Sequence, residues 1–233
     1  MKKALVTGGT RGIGAGVVHV LASQGWQVIA ATQSEAEIEE FEAPAGTTTA
    51  RVDVTDQATV DALLAGIDRL DGLVNCAGIL MRGEEYDLDN FQKVIDVNLV
   101  GTMRMCVAAK DKLAETGGSI VNIASMLTYF GGPLVPAYSA SKGGVGQLTK
   151  ALAGKWAGDG VRVNAVAPGW IDTEMTQALQ ADPSRNGPLM NRTPMNRWGQ
   201  TNEVGALVAW LLSDQASFIT GSVYPVDGGY SAM

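Results

Sequence analysis

Short apolar, β-prone runs alternate with longer stretches of helical periodicity from one end of the chain to the other. The runs Ala4–Thr7, Gln27–Ala31, Thr49–Val52, Gly72–Asn75, Ser119–Ile123, Arg162–Ala167 and Ser222–Val226 predict strands. Between them, Ile13–Gln24, Gln57–Ala65, Val100–Ala114, Ser139–Ala157 and Glu203–Leu212 repeat apolar side chains at helical spacing. Strands that are apolar on both faces must be covered on both faces, which predicts a parallel sheet sandwiched by helices. Right-handed crossovers make this a doubly wound α/β fold. No linker, internal repeat or low-complexity segment interrupts the rhythm, so residues 1–233 are expected to form one domain.

Residues 172–200 depart from the pattern. They carry two or three helical turns and then Pro183, Gly187, Pro188, Pro194 and Gly199. An irregular stretch of that length in a compact domain is usually functional. It follows the carboxyl end of a strand, where open α/β sheets bind ligands, so a substrate lid is expected there.

Composition narrows the chemistry. There is one histidine, His19, and there are two cysteines, Cys76 and Cys106, too few and too scattered for a zinc site of the usual type; no metal is expected. Unspaced cysteines fit a reducing compartment. With 17 Lys and Arg against 24 Asp and Glu, the net charge of −7 disfavours nucleic acid and anionic membranes as partners. The apolar run after Met1 is too short for a signal-peptide core, and no stretch is long enough to span a membrane. A cytoplasmic protein is expected.

The segment Thr7-Gly8-Gly9-Thr10-Arg11-Gly12-Ile13-Gly14 follows the first predicted strand and opens the first helix. Glycines there let the backbone turn sharply and approach a pyrophosphate, whose charge then meets a helix N-terminus. The spacing resembles T-G-x-x-x-G-x-G, the signature of the short-chain dehydrogenases/reductases, a family with a Rossmann-like fold. Further landmarks of that family run along essentially the whole chain. Asp53-Val54 matches its adenine contact, and Asn75-Cys76-Ala77-Gly78 resembles N-N-A-G. Pro168-Gly169-Trp170-Ile171-Asp172-Thr173 resembles P-G-x-x-x-T, where Ile171 and Thr173 would face the nicotinamide carboxamide. Asp227-Gly228-Gly229 matches the usual ending.

Cofactor choice is expected to be made after the second strand, where an acid would bind the ribose 2′-hydroxyl and repel a 2′-phosphate. The chain reads Ala31-Thr32-Gln33-Ser34 there, with no carboxylate before Glu35, while Arg11 stands where family members using NADP often carry a base. Gln33 and Ser34 can supply hydrogen bonds. NADP(H) is therefore expected over NAD(H).

Tyr138 and Lys142 lie four residues apart, on one face of a helix. A free phenol, with a pKa of about 10, is a poor base at neutral pH, and a nearby cation lowers that value. Ser125, just past the fifth strand, can hydrogen-bond a substrate oxygen as its charge changes. The resemblance adds Asn98, matching the family asparagine that holds a water next to the lysine. It implies hydride transfer between a nicotinamide and a ketone or secondary alcohol, with Tyr138 passing the proton and Lys142 gripping the nicotinamide ribose.

For the substrate, Ser125 to Tyr138 and Arg197-Trp198-Gly199 look like the sugar-acid and polyol members of the family. Arg185, Arg192 and Arg197 in the expected lid can pair with a carboxylate. Leu127, Tyr129, Phe130 and Trp170 would equally line an apolar ketone pocket. A 3-oxoacyl-carrier-protein reductase is the alternative, but its docking bases fall at Thr116 and Asp159 here. A non-catalytic nucleotide sensor would have lost one of the four catalytic matches, and none is missing. The resemblance implies a homotetramer built through Val100–Ala114 and Ser139–Ala157.

Overall fold

The computed structural model describes residues 1–233. Seven strands form one parallel sheet in the order β3-β2-β1-β4-β5-β6-β7. They are β1 (Lys3–Thr7), β2 (Gln27–Thr32), β3 (Thr47–Arg51), β4 (Gly72–Asn75), β5 (Ser119–Ile123), β6 (Arg162–Pro168) and β7 (Val223–Val226). The chain works outward from β1 to β3, returns to β4, and then works outward the other way. That reversal opens a crevice at the carboxyl ends of β1 and β4.

Alternation along β1 shows how the sheet is covered. Ala4 and Val6 face one side, among Val17, Val18 and Leu21 of α1 (Gly12–Ser23) and Val204 and Val208 of α9 (Thr201–Leu212). Leu5 faces the other, among Val60 and Leu64 of α3 (Gln57–Ala65), Met105 and Leu113 of α5 (Thr102–Thr116) and Leu152 of α6 (Pro136–Trp156). This is the doubly wound, Rossmann-like α/β fold expected from the pattern.

Three helices, α2 (Glu35–Glu40), α4 (Leu88–Ile95) and α8 (Pro183–Arg192), escaped the periodicity. Helix α2 is short and polar, and is started by Ser34, whose Oγ accepts the Glu37 N–H. Helix α4 is capped by Asp87 Oδ1, which accepts from the N–H groups of Asp89 and Asn90. Six residues of π-helix, Asp96–Gly101, join α4 to α5 and carry Asn98. Residues 172–200 are more helical than their prolines and glycines suggest, holding α7 (Gln177–Gln180) and α8. Pro183 occupies the first turn of α8, where a missing N–H costs nothing, and Asp182 caps it; only Pro188 lies inside. The excursion is closed at its base by a parallel bridge between Ile171 and Gly199.

No helix is long and apolar enough to cross a membrane. A concavity of about 590 Å³ lies at the amino ends of the strands; Lys2 pairs there with Asp214 and Arg69 with Asp71, each at 2.6 Å, and Arg162 donates to backbone carbonyls of Leu211 and Ser213.

Candidate active site and cofactor cleft

A cleft of about 490 Å³ opens at the carboxyl ends of β1 and β4. Its floor is the glycine turn between β1 and α1. Gly12 has φ +51°, a left-handed conformation that only glycine adopts at little cost, and a Cβ there would sit in contact with Thr173, 3.7 Å away. A Cβ on Gly14 would run into the Gly8 carbonyl oxygen. The turn therefore stays bare, and the N-terminus of α1 has no acidic side chain of its own. A backbone cradle at a helix N-terminus fits a pyrophosphate.

Of the residues singled out from sequence, Gly8, Arg11, Gly12, Ile13, Gly14, Gln33, Asp53, Val54, Ala77, Gly78, Tyr138, Lys142 and Thr173 line this cleft. Others are engaged elsewhere. The Asn75 amide turns into the sheet, donating to Asn122 Oδ1 at 2.9 Å, and Asn122 donates in turn to Thr149 Oγ1 on α6. Ser34 is the cap of α2. Pro168 and Gly169 end β6, the Gly169 N–H donating to Val226 O, and Ile171 is buried beside Gly199. Asp53, although it lines the cleft, also stiffens the turn after β3, its Oδ1 accepting from the backbone and hydroxyl of Thr55. Thr10 reaches Glu37, a residue that sequence spacing did not mark.

The catalytic candidates converge at one end of the cleft. Tyr138 sits in the first turn of α6, with Lys142 one turn on. Lys142 is buried, with Nζ 5.5 Å from the Tyr138 ring centroid, and donates to the Ile123 carbonyl at 2.6 Å. Ser125 Oγ caps the short helical turn Met126–Thr128, accepting from the Leu127 N–H. Asn98 is fully buried; its amide spans Ile79, accepting from N and donating to O, and also donates to Ser141 Oγ.

Burial dominates the electrostatics of the pair. Desolvation pushes Tyr138 up to about 12, with the Glu85 charge adding to the rise and a hydrogen bond to Ser125 opposing it. Desolvation also pushes Lys142 down to about 8, so its own charge is costly. Nearby, desolvation raises the Cys76 thiol to about 12, leaving it a poor nucleophile.

Two further residues came from no motif. Glu85 is fully buried; Oε1 accepts the Met81 N–H and Oε2 the Tyr138 N–H, each at 2.9 Å. It thus caps α6 at Tyr138 and braces the loop after β4 against it. On that loop, Arg82 faces Arg185 of α8. Desolvation and then the Arg185 charge push Arg82 below the usual guanidinium value, with Glu85 opposing. No carboxylate lies within ion-pair distance of either arginine, whereas Arg197 is paired with Glu203 at 2.6 Å. Arg192 lies 4.3 Å over the Tyr230 ring. Phe130, Trp170, Trp198 and Tyr230 make an edge-to-face aromatic wall beside them.

A family profile described as enoyl-(acyl carrier protein) reductase matches residues 8–231. The chain belongs to the short-chain dehydrogenase/reductase family. As a member, it is an NAD(P)-dependent oxidoreductase acting on CH–OH groups. It is 41% identical to a 2-dehydro-3-deoxy-D-gluconate 5-dehydrogenase of Pseudoalteromonas atlantica, over 98% of this chain and 95% of that one. It is 39% identical to a 3-oxoacyl-[acyl-carrier-protein] reductase of Synechocystis, over 97% and 95%. The crystal structure of a gluconate 5-dehydrogenase from Burkholderia cenocepacia in complex with NADP and tartrate superposes with a TM-score of 0.92 at 32% identity, covering 100% of this chain and 96% of that one.

Proposed function

We propose that this short-chain dehydrogenase/reductase interconverts a ketone and a secondary alcohol on a sugar acid. The carrying observation is the convergence of Tyr138, Lys142 and Ser125 at one end of a cleft whose other end is the bare glycine turn. The exposed Arg82 and Arg185, near the loop that Glu85 ties to Tyr138, are held in no ion pair, and guanidiniums bind carboxylates in a bidentate fork. The dicarboxylate tartrate in the Burkholderia relative and the sugar-acid activity named for the Pseudoalteromonas relative support the same reading. The carrier-protein alternative has a 39% identical relative in its favour. Against it stand Thr116 and Asp159 where docking bases are needed, Asp159 being paired with Lys110 at 3.1 Å, and a net charge of −7 that repels an acidic carrier.

In this reading Gly8, Gly12, Ile13 and Gly14 hold the pyrophosphate of the cofactor, with Asp53 and Val54 on the adenine side. Ala77, Gly78, Lys142 and Thr173 hold the nicotinamide side. When bound, the nicotinamide supplies or accepts the hydride. Tyr138 Oη gives its proton to the carbonyl oxygen during reduction and takes it back during oxidation. Ser125 Oγ holds the same oxygen, and Asn98 keeps the Ile79 loop and the Ser141 end of α6 in register around Lys142. NADP(H) is favoured through Arg11, supported by a β2 that runs out through Ala31-Thr32-Gln33-Ser34 with no carboxylate of its own. The further elements of the proposal are a single domain with residues 172–200 as its lid, a homotetramer built through α5 and α6, and a cytoplasmic location. Val100, Met103 and Val107, exposed along the π-turn and α5, support the assembly.

The test is a cofactor-oxidation assay over matched ketones with and without a carboxylate, on the parent enzyme and Arg185→Gln. The expected result is a KM raised about tenfold for carboxylated ketones only. An equal effect on both ketones, or a parent enzyme indifferent to the carboxylate, overturns the sugar-acid reading.

A further inference from the structure

We infer that Glu37 sets the cofactor choice by clasping Arg11 across the adenosine end of the cleft, so that a 2′-phosphate gains the arginine only by displacing a carboxylate. The inference rests on the proposal that Arg11 is the 2′-phosphate base. Glu37 lies on α2, five residues beyond the end of β2, and its side chain turns back into the cleft. Oε1 stands 3.2 Å from Arg11 Nη1, while Oε2 accepts from Thr10 Oγ1 at 2.9 Å and Thr32 Oγ1 at 2.6 Å. The two partners differ in freedom: the Arg11 side chain is 60% exposed, the Glu37 side chain 24%. The ion pair alone would be a weak surface contact. The two hydroxyls make it a fixed feature, because they hold the carboxylate whether or not the arginine stays.

Burial by itself would raise the Glu37 carboxyl, but Thr32, Thr10 and Arg11 together hold it below its ordinary value, so it is ionised at neutral pH. A 2′-phosphate approaching Arg11 therefore meets a fixed negative charge within ion-pair distance of its intended partner. A ribose 2′-hydroxyl meets the opposite situation, since Oε1 keeps a lone pair free to accept it. Arg11 pulls toward NADP(H) and Glu37 restrains it, leaving the parent chain with a shallow preference. Glu35 provides an internal comparison: it lies on the same helix and pairs with Arg51 at 3.6 Å, but does not line the cleft.

Dissociation constants for NADPH and NADH, and for adenosine 2′,5′-bisphosphate and 5′-AMP as probes lacking nicotinamide, are measured by calorimetry at fixed salt. The parent enzyme is compared with Glu37→Gln, Glu35→Gln and Arg11→Gln. Glutamine keeps an acceptor for Thr10 and Thr32, so the helix keeps its anchor. Glu37→Gln is expected to tighten NADPH and the bisphosphate about tenfold, with NADH and AMP changed less than about threefold. Glu35→Gln is expected to leave the NADPH to NADH ratio unchanged, and Arg11→Gln to weaken NADPH selectively. A ratio unmoved by Glu37→Gln, or moved equally by Glu35→Gln, overturns the role of Glu37 while leaving Arg11 in place. If Arg11→Gln leaves NADPH binding untouched, the phosphate reading of Arg11 falls and takes the clasp with it.

Discussion

Desolvation holds the Tyr138 phenol at about 12, so at neutral pH it carries the proton that a carbonyl reduction consumes. Oxidation demands the opposite, a phenolate, and the group able to favour it is Lys142, itself pushed down to about 8. In the proposed mechanism the resting pair therefore holds the proton a reduction uses, and positive charge entering the cleft would favour the phenolate. Tyr138→Phe removes the transferable proton but leaves the ring and its packing. Turnover is expected to fall about a thousandfold with NADPH affinity unchanged, checked by pairing steady-state rates with calorimetric binding. Lys142 and Tyr138 were legible as residues because their spacing on a helix is itself the signal. Glu37, Glu85 and Arg82 were not, since each acts on a partner that folding brings near. Glu85 reaches Tyr138 across 53 positions, and Glu37 reaches Thr10 across 27.

Among the elements, strands and long amphipathic helices were readable because the parallel sheet is apolar on both faces. What escaped were α2, α4 and α8, which depend on caps rather than on a wide apolar stripe. The predicted third strand was also displaced, running Thr47–Arg51 instead of Thr49–Val52, because its three consecutive threonines give no clear apolar face. Helix α6 depends on a cap that no local motif supplies. Glu85 arrives from the β4–α4 connection and satisfies the N–H of its third residue. Removing that carboxylate strands two half-buried N–H groups, those of Met81 and Tyr138. Glu85→Ala is therefore expected to cost about 2–3 kcal/mol of stability, read from urea unfolding.

For the whole molecule, the buried titratable groups fix a pH optimum of stability. Unfolded Lys142 keeps its proton to about 10.5, whereas folded Lys142 loses it near 8. Between those values the unfolded state binds more protons, so stability rises with pH. Cys76 and Cys106 act in the other direction. Their folded thiols are raised from 9.0 to about 12, so above pH 9 the folded state keeps protons that the unfolded state has lost. Two thiols outweigh one ammonium, and the maximum is expected close to pH 9, after a net rise of only about 0.3 kcal/mol from pH 8. Urea midpoints across pH 7–10 check this, and Lys142→Met should abolish the rise while keeping the fall.

The amides joining β4, β5 and α6 have a mechanical consequence. Asn75, Asn122 and Thr149 rivet the helix to the sheet beyond Lys142, and Glu85 moors its leading end. The wall that carries the phenol is thus a fixed anvil. With the 172–200 excursion as the lid proposed above, adjustment to guests of different size falls to it, its two ends held together by the Ile171–Gly199 bridge.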